Sequence, residues 1–128
     1  MRFMMLVIPK GYEKAAADFT PPADLVAKMT KYNESLTKAG VLLGLDGLHP
    51  PARGARVSFG GGKAAKVTDG PFTEAKEVVG GYAVLEASSR EEAVESARIF
   101  LRLHQQHWPG WQGECEIREL VFLAPGNA

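Results

Sequence analysis

The sequence predicts an α+β fold in which two main helices cover one face of an antiparallel or mixed sheet. Segments with strand and helix patterns follow each other in the order strand, helix, strand, hairpin, strand, helix, strand. That order contains the split βαβ arrangement of a ferredoxin-like sandwich. The first strand is apolar throughout, which is typical of a central strand. A chain of 128 residues fits one domain, which we place at 1–124 with a tail at 125–128.

The first strand and the first helix are predicted from their apolar patterns. Phe3 to Ile8 is the apolar strand, and Gly11 to Thr20 is a loop or a frayed helical turn. Thr20 is predicted to cap the helix with Pro21 at its first position, and Gly40 to end it. One face of this helix is apolar at four-three spacing: Leu25, Met29, Tyr32, Leu36 and Ala39.

The middle of the chain is predicted to be β-rich. Val41 to Leu48 is the second strand, and the two prolines that follow His49 turn the chain away from the sheet. Strands at 56–59 and 64–68 flank Gly60 to Lys63, where glycine supplies the positive φ that a tight hairpin needs. A linking segment from Glu74 to Val79 leads into a strong strand at 81–86.

The last third is predicted to form the second helix and the final strand. Two overlapping capping boxes open the helix, Ser88 with Glu91 and Ser89 with Glu92. Pro109 and Gly110 close it, and its apolar stripe is Ala93, Val94, Ala97, Phe100, Leu101 and His104. The final strand is placed at 114–123. Glu119 breaks its apolar register, which indicates a cleft or an interface there.

The uncovered face of the predicted sheet indicates self-association. A sheet whose first strand is apolar on both sides would expose a patch of several hundred Å² if one side faced water. We therefore expect two copies to pack sheet to sheet as a closed twofold homodimer.

Charge and cysteine content exclude several classes of protein. Fifteen Lys and Arg balance fifteen Asp and Glu, so no net field recruits nucleic acid or an anionic membrane. The single cysteine, Cys115, forms no intrachain disulfide and no thiolate metal cluster. The apolar segment at 3–8 is too short to span a bilayer. We expect a cytoplasmic protein with Cys115 as a small core residue.

The turn Asp69-Gly70-Pro71-Phe72 is the strongest candidate for a functional motif. Pro71 fixes its φ and Gly70 permits unusual backbone angles, so the turn holds the Asp69 carboxylate in a fixed direction at a strand end. Such a carboxylate suits catalysis or the orientation of a ligand. Alternatively, Asp69 hydrogen-bonds the turn backbone in an Asx motif.

Several blocks of the sequence resemble the YCII-related family, often called DGPF domain proteins. The signature runs from Val67 to Glu77 and is followed by Gly80-Gly81-Tyr82. Further blocks match in the right order: 31–34, 39–42, 47–50, 54–57 and 116–118. The resemblance covers nearly the whole chain. The segment at 104–113 departs from it, because it is longer and more aromatic than the family pattern.

The resemblance implies a ferredoxin-like fold that dimerises through its sheets, as in the dimeric α/β barrel proteins. It implies little about activity. A His and Asp pair in a cleft has been proposed as the active site of relatives, and on this chain the candidates are His49 and Asp69. DGPF-type members are often encoded beside, or fused to, extracytoplasmic-function sigma factors.

His49 has the chemistry of a proton-transfer group. Pro50 biases it toward an extended conformation at a strand end, and an imidazole with an ordinary pKa near 6.5 can exchange a proton with a substrate. Asp69 would then orient its ring. The alternative is a loop histidine bonded to a backbone carbonyl.

Four further residues are candidates for substrate binding. Tyr32 belongs to the helix stripe, and its hydroxyl either reaches a cleft or lies in the core. Arg56 shares a hairpin face with Ser58; it is an anion anchor if that face lines the cleft and simply solvated if it does not. Phe72 and Lys76 belong to the signature, although a surface ion pair with Glu77 explains Lys76 equally well.

Two apparent metal or phosphate motifs are not expected to bind. Gly60 to Lys63 lacks the Lys-Ser/Thr ending of a phosphate-binding loop, so we interpret it as a hairpin. His104 and His107 are three residues apart, but no third ligand follows at a standard spacing. A role at the helix end, where imidazole meets the C-terminal dipole, is the preferred interpretation.

Two functions are compatible with these residues. The first is a cofactor-independent enzyme that performs His/Asp acid-base chemistry on a small anionic molecule. In that enzyme His49 is the acid or base, Asp69 its orienting partner and Arg56 the anchor. The second is a non-catalytic binding or regulatory module that contacts a sigma factor rather than DNA.

Overall fold

A four-stranded antiparallel sheet is the centre of the computed structural model, which describes residues 1–62, 64–72 and 77–121. Its strands are β1 (Arg2–Pro9), β2 (Leu42–Gly47), β5 (Gly81–Glu86) and β6 (Gly113–Glu119), in the order β2-β5-β1-β6. A separate hairpin consists of β3 (Ala55–Ser58) and β4 (Lys66–Asp69). The helices are α1 (Ala23–Lys38) and α2 (Arg90–His107). Short 3₁₀ helices occupy Tyr12–Lys14 and Pro51–Arg53.

The α+β class, the two helices and the antiparallel sheet confirm the predicted fold class. The four-stranded sheet has the strand order of a ferredoxin-like fold, with the β3–β4 hairpin inserted between β2 and β5. As predicted, β1 is an inner strand: Phe3 pairs with Leu85 of β5 on one side and with Glu119 of β6 on the other.

The start of α1 differs from the prediction. The helix begins at Ala23 behind Pro22, and the capping position has no side-chain hydrogen bond, so Thr20 does not cap it. The reason is the proline pair. Pro22 disfavours the helical region for the residue before it, which keeps Pro21 out of the first turn. The end of α1 follows the prediction, because Gly40 adopts the left-handed conformation with φ +75°.

The start of α2 confirms Ser89 as the cap of the predicted Ser89–Glu92 box, but the Glu92 carboxylate reaches Ser88 and not the Ser89 N–H. The Ser89 side chain accepts a hydrogen bond from the Glu92 backbone N–H at 3.2 Å. The Glu92 carboxylate in turn accepts hydrogen bonds from the Ser88 backbone N–H and hydroxyl. These bonds lower the pKa of Glu92.

The C-terminal strand is shorter than predicted within the described residues. β6 ends at Glu119, the residue at which the apolar register breaks. The rest of the predicted strand, from 122 onward, and the tail at 125–128 lie outside the described residues, as do residues 74–76 of the predicted link from Glu74 to Val79.

The two faces of the sheet differ in what covers them. Phe3, Met5 and Val7 are buried in the core together with Ala93 and Ala97 of α2. The alternate residues of β1 lie on the opposite face and are half-buried: Met4, Leu6 and Ile8. Both described helices therefore lie on one side, and the other side is open. No helix within the described part of the chain has the length and apolarity needed to cross a membrane.

Candidate functional site

The Asp69-Gly70-Pro71-Phe72 turn is fixed against the segment that follows His49. The Gly70 N–H donates a hydrogen bond to the Gly54 carbonyl at 2.8 Å. A Cβ at Gly70 would lie 1.6 Å from the carbonyl oxygen of Pro51, so no side chain fits there. The Gly70–Pro71 peptide is cis. Backbone contact thus joins the turn to the 3₁₀ helix at Pro51–Arg53.

The same 3₁₀ helix brings a cation to His49. Nη1 of Arg53 lies 2.8 Å from Nε2 of His49, and both side chains are exposed. A guanidinium only donates hydrogen bonds, so Nε2 of His49 is the acceptor and carries no proton in this pair. Sequence reasoning missed Arg53. The available signal was its position four residues after His49, across a Pro-Pro pair that forces a turn.

Arg56 lies over the ring of Phe72, with its guanidinium carbon 4.2 Å from the ring centroid. This cation–π contact joins β3 to the end of the turn. His49, Arg53, Arg56, Phe72 and Glu77 all line one groove of about 550 Å³. Arg56 lines this groove and is also exposed to solvent.

Asp69 lies on the other face of the hairpin. In the β3–β4 ladder Arg56 pairs with Thr68, whereas Asp69 pairs with Ala55. Alternation along a strand places these two pairs on opposite faces. Asp69 is exposed and does not line the groove, and its carboxylate makes no hydrogen bond to another described residue. The groove thus unites His49, Arg56 and Phe72 without Asp69, and Lys76 lies outside the described residues.

Tyr32 lines a second and larger cavity, which lies between the helices and the sheet and measures about 660 Å³. Its hydroxyl donates to the Ser96 carbonyl at 3.4 Å, and burial raises its pKa. Most side chains around this cavity are apolar. Leu48 and His49 line both the cavity and the groove, so they form a wall between them.

The 104–113 segment lines one side of the cavity with aromatic rings. His104 lies 4.2 Å from the Phe100 ring and 4.7 Å from the Trp111 ring, measured between centroids. Trp108 also stacks on Phe19 with 5.7 Å between centroids. Burial lowers the pKa of His104, although its hydrogen bond to the Phe100 carbonyl partly offsets the effect.

The two helix histidines have separate partners. Nδ1 of His107 lies 2.6 Å from Oδ2 of Asp24, which connects α2 to α1. Nδ1 of His104 instead faces the Phe100 carbonyl. Within the described part of the chain, no group of three or more His, Cys, Asp or Glu side chains is arranged to hold a metal. Burial raises the pKa of the Cys115 thiol to about 12, which agrees with a core role.

Comparison with known proteins identifies a family and a relative. The family model for the YCII-related domain matches residues 1–99. A protein of Rhizobium meliloti (strain 1021) that bears the name uncharacterized protein R00369 is 32% identical over 104 residues, which cover 81% of this chain and 76% of the relative.

Proposed function

This chain belongs to the YCII-related domain family, and we propose that it binds a small anionic molecule in the groove beside the Asp69-Gly70-Pro71-Phe72 turn. The observation that carries the proposal is the convergence of Arg53, Arg56 and the His49 imidazole on that groove. Among the described residues that line the groove, two carry a guanidinium group and one, Glu77, carries a carboxylate, which leaves an excess of positive charge. Guanidinium groups match carboxylate or phosphate oxygens in a bidentate way.

The contact between Arg53 and His49 suggests how binding is coupled to proton transfer. Arg53 occupies the lone pair of Nε2 in the structure. A ligand anion that pairs with Arg53 would release that lone pair. His49 would then act as a general base within reach of the bound molecule. In this proposal the protein needs no cofactor. Asp69 acts on His49 from farther away than the sequence predicted.

Thermal shift measurements with small carboxylates and inorganic phosphate at constant ionic strength test the proposal. A ligand that binds the native state raises Tm by mass action. We expect at least one of these anions to stabilise the wild-type protein, and Arg56→Gln to need about tenfold more anion for the same shift. Arg90→Gln is the matched control, because Arg90 is exposed on α2 and faces Glu91.

Two outcomes would contradict anion binding in the groove: no anion raises the wild-type Tm, or Arg56→Gln responds as the wild type does. Asp69→Asn separates the roles further. If Asp69→Asn responds to the anion as the wild type does, Asp69 lies outside the site, as the hairpin geometry suggests. If the variant loses the response, the site includes both His49 and Asp69, as the sequence predicted. The association with a sigma factor remains a prediction, which no described feature favours over ligand binding.

A further inference from the structure

The cavity between the helices and the sheet is too large to be a packing defect. Protein interiors are close-packed and contain few voids larger than a water molecule. A volume of about 660 Å³ instead lies in the range of small-molecule sites. Its lining is dominated by apolar side chains from the sheet and both helices, among them Met5 of β1, Met29 of α1 and Phe100 of α2.

His104 supplies a hydrogen-bond acceptor to this apolar surface. The residue is 9% exposed and lines the cavity. Because a carbonyl oxygen only accepts, the 3.0 Å contact with the Phe100 carbonyl requires a proton on Nδ1. Desolvation lowers the pKa of the ring, so the ring is neutral near pH 7 and Nε2 carries a lone pair.

No described residue satisfies that lone pair. Nε2 of His104 has no hydrogen-bond partner within the described ranges, 1–62, 64–72 and 77–121. It is not sealed off either. Among the described side chains that are not exposed, Glu13 Oε2 is the single fully sealed nitrogen or oxygen atom without a partner. Nε2 therefore keeps some accessible surface, and the rings of Phe100 and Trp111 flank the imidazole.

We propose that this cavity is a second binding site, distinct from the anion groove, for a neutral and largely apolar molecule that donates one hydroxyl hydrogen bond to Nε2 of His104. The aromatic rings of the 104–113 segment favour an aromatic or otherwise flat apolar body. A ligand without a hydrogen-bond donor would leave the buried Nε2 acceptor unpaired, which weakens its binding. The hydroxyl group therefore provides selectivity. An anion is disfavoured, because no described cationic side chain lines the cavity.

Isothermal titration with two matched probes tests the site. The probe 4-butylphenol donates a hydrogen bond, and 4-butylanisole has the same apolar body without a donor. We expect the phenol to bind the wild-type protein about tenfold more tightly than the anisole. His104→Phe keeps a ring of similar size and removes the acceptor, so the difference between the probes should fall below about twofold.

Two further variants test whether the change in probe affinity arises in the cavity or from a general effect of substitution on the protein. His107→Phe makes the same substitution at a histidine that does not line the cavity, and it should keep the tenfold difference. Met29→Trp fills the cavity and should weaken both probes. Equal wild-type affinity for phenol and anisole overturns the proposal, as does a preference that survives in His104→Phe or a failure of both probes to bind.

Histidine NMR keeps the test independent of whether His104→Phe folds. In the wild-type protein, the ¹⁵N resonance of His104 Nε2 should move on addition of 4-butylphenol and stay in place with 4-butylanisole. A phenol that binds without moving this resonance would contradict the proposed hydrogen bond. Benzoate, a probe of the anion groove, should leave it unchanged, so the failure of one site is distinguishable from the failure of the other.

Discussion

Burial at the helix–sheet boundary determines the protonation of His104. Its ring is surrounded by Phe100 and Trp111 rather than by carboxylates, so desolvation is the main cause of its lowered pKa. The unfolded chain therefore binds a proton more readily than the native state does. Stability rises with pH wherever the unfolded state holds more protons. The contribution of His104 is intact above its ordinary pKa of about 6.5 and is lost as the pH falls below it.

We predict that the wild-type Tm falls more steeply than that of His104→Phe between pH 7.5 and pH 5. The variant has no imidazole to protonate at this position, so its stability should depend less on pH in this window. Differential scanning calorimetry across the pH range measures the effect. Parallel curves for wild type and His104→Phe would contradict the assigned burial effect.

At the residue scale, the sequence predicted the position of a side chain where its chemistry and its spacing along the chain pointed to the same location. Arg56 could be placed on a hairpin face from the period of two, and His49 at a strand end from the following proline. The same two-residue period places Asp69 on the hairpin face opposite to that of Arg56, but only once β4 is known to include Asp69. The acceptor role of His104 depends on a tertiary cavity, so it could not be predicted from a helix stripe.

The contact between the turn and the 3₁₀ helix at Pro51–Arg53 controls where the hairpin lies. β3 and β4 form their own two-stranded sheet, separate from the main sheet. Their described backbone link to the rest of the chain includes the Gly70–Gly54 hydrogen bond and the close approach of Gly70 to Pro51. A two-stranded hairpin alone is marginally stable in water. The contact with the 3₁₀ helix therefore contributes more to the stability of the hairpin than the pairing of β3 with β4 does.

We predict that Gly70→Ala costs roughly 1–3 kcal/mol of unfolding free energy, because the new methyl group would overlap the Pro51 carbonyl and displace the backbone. Gly60→Ala is the matched control. A Cβ at Gly60 would meet nothing within 4 Å, so we expect a change within about 0.5 kcal/mol. Urea denaturation followed by circular dichroism measures both. Equal midpoints for the two variants would show that the turn tolerates a side chain.

Element prediction succeeded where local signals acted alone. The apolar run of β1, the Ser89 cap of α2 and the glycine stop of α1 all correspond to observed elements. The start of α1 was wrong because the second proline changed the conformation allowed to the first. The pairing of β5 with both β1 and β2 involves partners distant in sequence, which propensity does not encode.

At the scale of the whole molecule, the open face of the sheet is the feature that a monomer leaves unexplained. Its centre is apolar, because Met4 and Leu6 of β1 lie beside Val84 and Tyr82 of β5. The β6 neighbours of the same residues are charged: Arg118 pairs with Met4 and Glu116 with Leu6. An apolar centre with a charged border is the composition of a protein interface. We propose that a second copy of the chain covers this face.

We predict that light scattering coupled to size exclusion gives twice the chain mass at micromolar concentration, and that Leu6→Glu reduces it to the monomer. The new carboxylate would be buried without a partner at the centre of the interface, beside Glu116. Ala27→Glu, on the exposed side of α1, is the control and should remain dimeric. A monomeric mass for the wild-type protein would exclude the dimer.

The backbone contact between Gly70 and Pro51 also determines how freely the side chains that line the groove can be exchanged. The walls of the groove are aligned by main-chain atoms, whereas its chemistry comes from projecting side chains such as His49, Arg53 and Arg56. Exchanging those side chains leaves the alignment of the walls intact. A protein engineer could therefore re-line the groove for a different ligand at little expense in stability, provided that the glycine is retained.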